Sequence, residues 1–113
     1  MDELEKKINE FRDERDWRQF HNEKDLAISI SLEASELLEL FQWSSSEEIV
    51  QTKRNEIEDE LADVMIYSMM LASNLDINIE EIILNKLRKN NEKYPVEKSR
   101  GNKEKYTDLN NDD

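Results

Sequence analysis

A chain that meets its only proline at Pro95 and its only glycine at Gly101 has little to interrupt a helix. The long stretch before them carries no strong breaker. Apolar residues recur there at helical intervals. Leu4, Ile8, Phe11 and Arg15 share such a spacing in DELEKKINEFRDERDWRQF, and Leu26, Ile30, Ala34, Leu37 and Phe41 form one stripe of DLAISISLEASELLELFQW. A third segment, NEIEDELADVMIYSMMLASNL, is apolar or small almost all round from Val64 to Ala72, which implies burial on several sides. A fourth, IEEIILNKLRKNNEKY, must stop before Pro95. ISISL alternates as a strand would, but it sits inside a longer helical pattern. The spacing predicts an all-α fold, a bundle of about four helices per chain.

Start signals separate these segments. Asn22 or Asp25 in the polar stretch HNEKD suits the cap of the second helix. SSSEE offers a capping box, Ser44 with Glu47 or Ser45 with Glu48, and Asn78 opens the last helix in the same manner. The expected organisation is one helical domain over residues 1–95 and a polar tail over 96–113, loosely ordered unless it closes over a ligand.

Charged residues make up 39% of the chain and hydrophobic ones 36%, a lean core that pairing between subunits would help to bury. The formal net charge of −12 argues against a nucleic-acid polymer as ligand, because phosphates require a basic face. With no cysteine, disulfide and thiolate chemistry are excluded. No long apolar span or signal peptide is present, so a soluble cytoplasmic protein without a membrane role is expected.

The acids of two helices occupy unusual positions. At about 100° per residue, Glu60 and Asp63 are flanked on both edges by Ile57, Leu61, Val64, Met70 and Leu71, with Tyr67 one turn on. Glu33 lies inside the apolar stripe of the second helix, with Glu36 on the same face. In an antiparallel hairpin centred near position 48, Glu33 comes level with Asp63 and Glu36 with Glu60. That centre requires the chain to turn between about 44 and 52.

Acid pairs of this spacing are common on charged helices, where they are solvated. The inward placement and matched depth are what argue for a metal. Converging carboxylates repel one another unless their pKa values rise or a cation joins them. An all-oxygen donor set suits Mg²⁺ or Mn²⁺, and Mg²⁺ commonly completes its shell with substrate phosphates. A di-iron centre would need Glu-x-x-His motifs, and the single histidine, His21, lies in none. Trp17 and Trp43 offer faces for stacking a base or for core packing. Lys86 and Asn90 share a helix face and could hold phosphate oxygens or be merely solvated. Arg100 and Lys103 could fold over phosphates from the tail.

FRDERDWRQFHNEKDL, EASELLELFQW, EDELADVMIY, KYPVEKSRG and KYTDL occur in that order from Phe11 to Leu109. In this combination the chain resembles the MazG-like superfamily of all-α nucleotide pyrophosphohydrolases, and within it the dCTP pyrophosphatase group. The resemblance implies Mg²⁺-dependent hydrolysis of a (d)NTP to (d)NMP and pyrophosphate, with dCTP or a modified dCTP preferred, in a subunit-paired bundle that is a homodimer or homotetramer. It implies Glu33, Glu36, Glu60 and Asp63 as metal ligands. Trp17, His21, Trp43 and Tyr67 would contact the nucleotide, and Lys86 and Asn90 the phosphates. Glu36, or else Glu33, would handle the attacking water. Two departures bear on the base: the connection from Trp43 to Glu60 is shorter than in the animal enzymes, and Ile8 replaces a histidine that touches the base. Another or a broad (d)NTP preference therefore stays open, as does a non-catalytic acidic module that binds a basic protein.

Overall fold

The computed structural model describes residues 2–96 and 100–101. It is all-helical, as expected, and no strand occurs among the described residues. In chain order it has α1 (Asp2–Glu14), a 3-10 turn (Arg18–Phe20), α2 (Glu23–Glu39), α3 (Ser46–Thr52), α4 (Arg54–Asn74) and α5 (Ile79–Lys93). The tail beyond Gly101, with Lys103, lies outside the described residues, and Arg100 is exposed. The chain divides into two compact units, Met1–Ile77 and Asn78–Asp113.

In the first unit α2 packs along α4, and α1 lies against α4. The α2–α4 pair is antiparallel. The start of α2 reaches the end of α4, where the Asn74 side chain donates to the carbonyl of His21 at 2.7 Å, while Glu33 and Glu36 meet Glu60 near the opposite end of α4. The core is small: Ile8, Leu26, Ile49, Met69, Met70 and Ala72 are buried, with Arg12 among them.

The ends of these helices follow from particular residues. Asn22 caps α2, its side-chain oxygen accepting the Asp25 N–H at 2.8 Å. Ser45 caps α3 by accepting from Glu48 at 3.2 Å. α1 and α4 end alike. Asp16 and Asp76 both adopt the left-handed region at φ +53°. The following amides, of Trp17 and Ile77, return to the carbonyls of Arg12 and Ala72 at 3.0 and 2.9 Å. Both are Schellman closures in which aspartate stands where glycine is usual.

Two expectations need adjusting. The chain does not turn throughout 44–52: residues 40–45 make the reversal, and the rest winds into α3. The Ser45 cap, Glu47 and Glu48 in the first turn, and burial of Ile49 favour that helix. Lys53, at φ −126° and ψ 35°, separates it from α4. The buried face of α1 carries Ile8 and Arg12, one turn apart, rather than Phe11 and Arg15. Those two are exposed and pair with each other, the Arg15 guanidinium standing 3.8 Å from the Phe11 ring centroid.

α4 is not enclosed on every side within this chain. Leu61 and Met65 remain 49% and 48% exposed. The second unit contains α5, capped by Asn78, whose side chain accepts from the Glu81 amide at 2.9 Å. α5 ends at Lys93, ahead of Pro95 as expected. Ile82, Ile83, Leu84 and Leu87 of α5 are about half exposed.

Candidate metal centre and adjoining pocket

α2 and α4 bring three of the four expected ligands together. One carboxylate oxygen each from Glu33, Glu36 and Glu60 lies within 4.8 Å of the other two. Asp63, one turn along α4 from Glu60, stands outside this triad, although its charge acts on both Glu33 and Glu60.

Within the triad the carboxylates act on one another. Oε2 of Glu33 and Oε2 of Glu60 are buried without a hydrogen-bond partner among the described residues. Burial, then Glu36 within hydrogen-bonding reach, and then the charges of Glu36, Asp63 and Glu60 push the Glu33 carboxyl up to about 7. The Glu60 carboxyl is raised by burial first and Glu36 second. A protein seldom leaves two buried carboxylate oxygens unpaired, since each costs its full desolvation. A hard cation satisfies both oxygens and removes the repulsion, so the residues present fit a divalent metal of the oxygen-liganded kind.

Tyr67 links the triad to a cavity of about 380 Å³ lined by Lys7, Ile8, Phe11, Trp17, His21, Asp63, Ile66, Tyr67 and Met70. This volume suits a small ligand, and the wall is largely apolar and aromatic with a few polar groups, as in ligand sites generally. Burial, followed by the charges of Glu33, Asp63 and Glu36, raises the Tyr67 phenol, which therefore keeps its proton and serves as a donor. Trp17 meets Phe11 edge-on at 5.6 Å between centroids, and His21 at 6.3 Å. The Schellman closure after α1 turns the chain so that Trp17 and His21 reach this wall.

The pocket thus gathers Trp17, His21, Asp63 and Tyr67 beside the acid triad. Trp43 is not part of it. Its indole is 92% exposed at the reversal after α2. Lys86 and Asn90 lie one turn apart on α5 in the second unit, Lys86 exposed and Asn90 half-buried.

Arg12 was not expected at the site. It is fully buried and donates from Nε to His21 Nδ1 at 3.1 Å, from NH1 to Asn9 at 3.1 Å and from NH2 to Asn74 at 2.9 Å. A sequence signal existed, because Arg12 follows Ile8 by one turn. An arginine on the core face of a charged helix reads as solvated until its partners are seen.

An α2–α4 hairpin carrying a carboxylate triad beside a largely apolar and aromatic pocket characterises this all-α protein. By sequence the chain belongs to the MazG-like family, whose profile matches residues 28–109. It is 40% identical over 105 residues to dCTP pyrophosphatase 1 of Mus musculus and 36% identical over 105 residues to that of Homo sapiens. Each alignment covers 88% of this chain, which spans 62% of the length of these relatives. A crystal structure of a pyrophosphatase from Archaeoglobus fulgidus superposes with a TM-score of 0.81 at 45% identity, covering 84% of this chain and 92% of that one. The fold is accordingly the all-α MazG-like pyrophosphatase fold. No helix among the described residues is long and apolar enough to cross a membrane.

Proposed function

We propose that this chain is a Mg²⁺-dependent nucleoside triphosphate pyrophosphohydrolase that converts a (d)NTP and water to (d)NMP and pyrophosphate, preferring dCTP or a modified dCTP. The observation that carries this reading is the pair of partnerless buried oxygens on Glu33 and Glu60, set beside a pocket walled by Trp17, His21 and Tyr67. Similarity to the dCTP pyrophosphatases of mammals supports the choice of base.

Glu33, Glu36, Glu60 and Asp63 would hold the ion. When bound, Mg²⁺ (or Mn²⁺ in its stead) supplies charge neutralisation for the triphosphate and electrophilic activation at the α-phosphorus. Water attacks that phosphorus, its bond to the bridging oxygen breaks, and pyrophosphate departs. Glu36, the exposed member of the triad, takes the water's proton, with Glu33 as the other candidate base. The Tyr67 hydroxyl donates to the nucleotide where pocket and triad meet. Trp17 stacks on the base, an interaction worth about 1–3 kcal/mol, and His21 reads its edge. Residues 1–95 form the catalytic domain. Lys86 and Asn90 of α5 hold the departing phosphates, an assignment that rests on the resemblance of the fourth helix.

The working form is a homodimer or homotetramer in the cytoplasm, acting on free nucleotides rather than on a nucleic-acid polymer or a membrane. Ile28, Leu32, Leu38, Leu61, Met65 and Trp43 are all more than two-fifths exposed, and a second copy would cover them. Trp43 would then contact substrate across the pairing surface. A broader base preference is the second reading, favoured by a wall on which Ile8 presents no hydrogen-bonding group.

Alanine at Glu60 or Asp63 tests the assignment. Each variant is expected to lose about 10²-fold or more of its metal-dependent turnover. Near-normal pyrophosphate release from either folded variant would refute it.

A further inference from the structure

Among the described residues Arg12 is the only charged side chain in the buried core, and the side chains that accept from it are all neutral: His21, Asn9 and Asn74. Guanidinium nitrogens only donate. Every atom facing Arg12 is therefore fixed as an acceptor. Asn9 must turn its oxygen to Arg12, which leaves its amide free to donate to Ser73 Oγ at 3.0 Å. Asn74 must do the same, which aims its amide at the His21 carbonyl at 2.7 Å. His21 is thereby held twice, through its ring nitrogen by Arg12 and through its backbone by Asn74. Because Nδ1 accepts from Arg12, the neutral ring carries its proton on Nε2. A second proton on Nδ1 would meet the guanidinium head-on. Burial and the nearby Arg12 charge both lower the His21 pKa, in keeping with a ring that stays neutral.

We infer that Arg12 is a positioning residue for substrate recognition: it locks His21 as a neutral Nε2–H donor on the pocket wall, so that the pocket selects a base presenting a lone pair, a carbonyl oxygen or bare ring nitrogen, at that edge. This rests on the nucleotide reading of the pocket and adds to it the reason a histidine can discriminate there. An imidazole free to exchange tautomers would donate to one base and accept from another. A locked one rejects a base whose edge offers a donor, because two facing donors leave both unpaired.

The chain has a single histidine, so the ring nitrogens of this 113-residue chain labelled with 15N-histidine give an unambiguous spectrum. At neutral pH without nucleotide, the expected signature is a bare Nδ1 and a protonated Nε2. Arg12→Met, which keeps bulk but no donor, should let both tautomers populate. Arg12→Lys, which like arginine can only donate, should restore the single form. Adding dCMP should shift the Nε2 resonance, and deoxyribose 5-phosphate, which has no base, should not. A protonated Nδ1 in the unmutated protein would overturn the inference, and that spectrum decides even if Arg12→Met fails to fold. An identical response of Nε2 to dCMP and deoxyribose 5-phosphate would also overturn it. Pyrophosphate release from dCTP by the same sample keeps the two claims apart. Absence of release with the Nε2–H form present refutes the nucleotide reading and leaves the Arg12–His21 lock standing.

Discussion

At the scale of single residues, the site is a problem of charge. Folding holds a proton on Glu33 up to about pH 7, whereas the unfolded chain releases it near 4.5. Between those values the folded state binds more protons, so its stability falls as pH rises. Glu60 shifts in the same direction. In EDTA, the melting temperature is therefore expected to fall from about pH 4.5 to about pH 7 through these groups. Mg²⁺ should remove that fall, since a cation takes the proton's place. Glu60→Gln should melt higher than the unmutated chain in EDTA at neutral pH, yet gain little from Mg²⁺. Melting curves at matched ionic strength check this. A Glu60→Gln variant that loses stability in EDTA would show that the carboxylate is satisfied in some other way. The acid set was legible in the sequence because helical spacing alone puts Glu33 and Glu60 against apolar neighbours. Arg12 was not, because its partners lie 9 and 62 positions away and reach it only through the turn at Asp16 and the packing of α1 on α4.

At the scale of elements, the residues that start helices are easier to read than the local backbone turns that stop them. The caps at Asn22, Ser45 and Asn78 could be read from the residue types, because a short polar side chain before a helix has one favourable bond to make. Asn22→Ala should cost about 1 kcal/mol by denaturant unfolding. A loss within error would mean that the Asn74 bond to His21 alone fixes the entry of α2. The closures at Asp16 and Asp76 were harder to foresee, since aspartate in the left-handed region has no spacing signature. The break at Lys53 is harder still, because no proline or glycine marks it. Its consequence is functional. The break sets α4 going at Arg54, with Glu60 near its start, opposite Glu33 and Glu36.

At the scale of the molecule, more large apolar side chains are exposed than buried among the described residues. The near-continuous apolar run of α4 led to an expectation of burial on several sides, and one chain supplies only part of it. On α2, Leu38 and Leu32 are 63% and 59% exposed, as Leu61 and Met65 of α4 are by about half. Light scattering at micromolar protein should therefore return a multiple of the 13.5 kDa chain mass. A monomer would leave that surface, and Trp43, without the cover the functional reading requires.

In the proposed function, an acid triad and an aromatic pocket together make a metal-dependent nucleotide pyrophosphohydrolase. Pyrophosphate release from a panel of dNTPs, NTPs and modified dCTPs, first with Mg²⁺ and then with EDTA, tests it most directly. Release should require Mg²⁺, stop in EDTA and be fastest for dCTP or a modified dCTP. Folded protein that releases nothing from any nucleotide with Mg²⁺ present would contradict it.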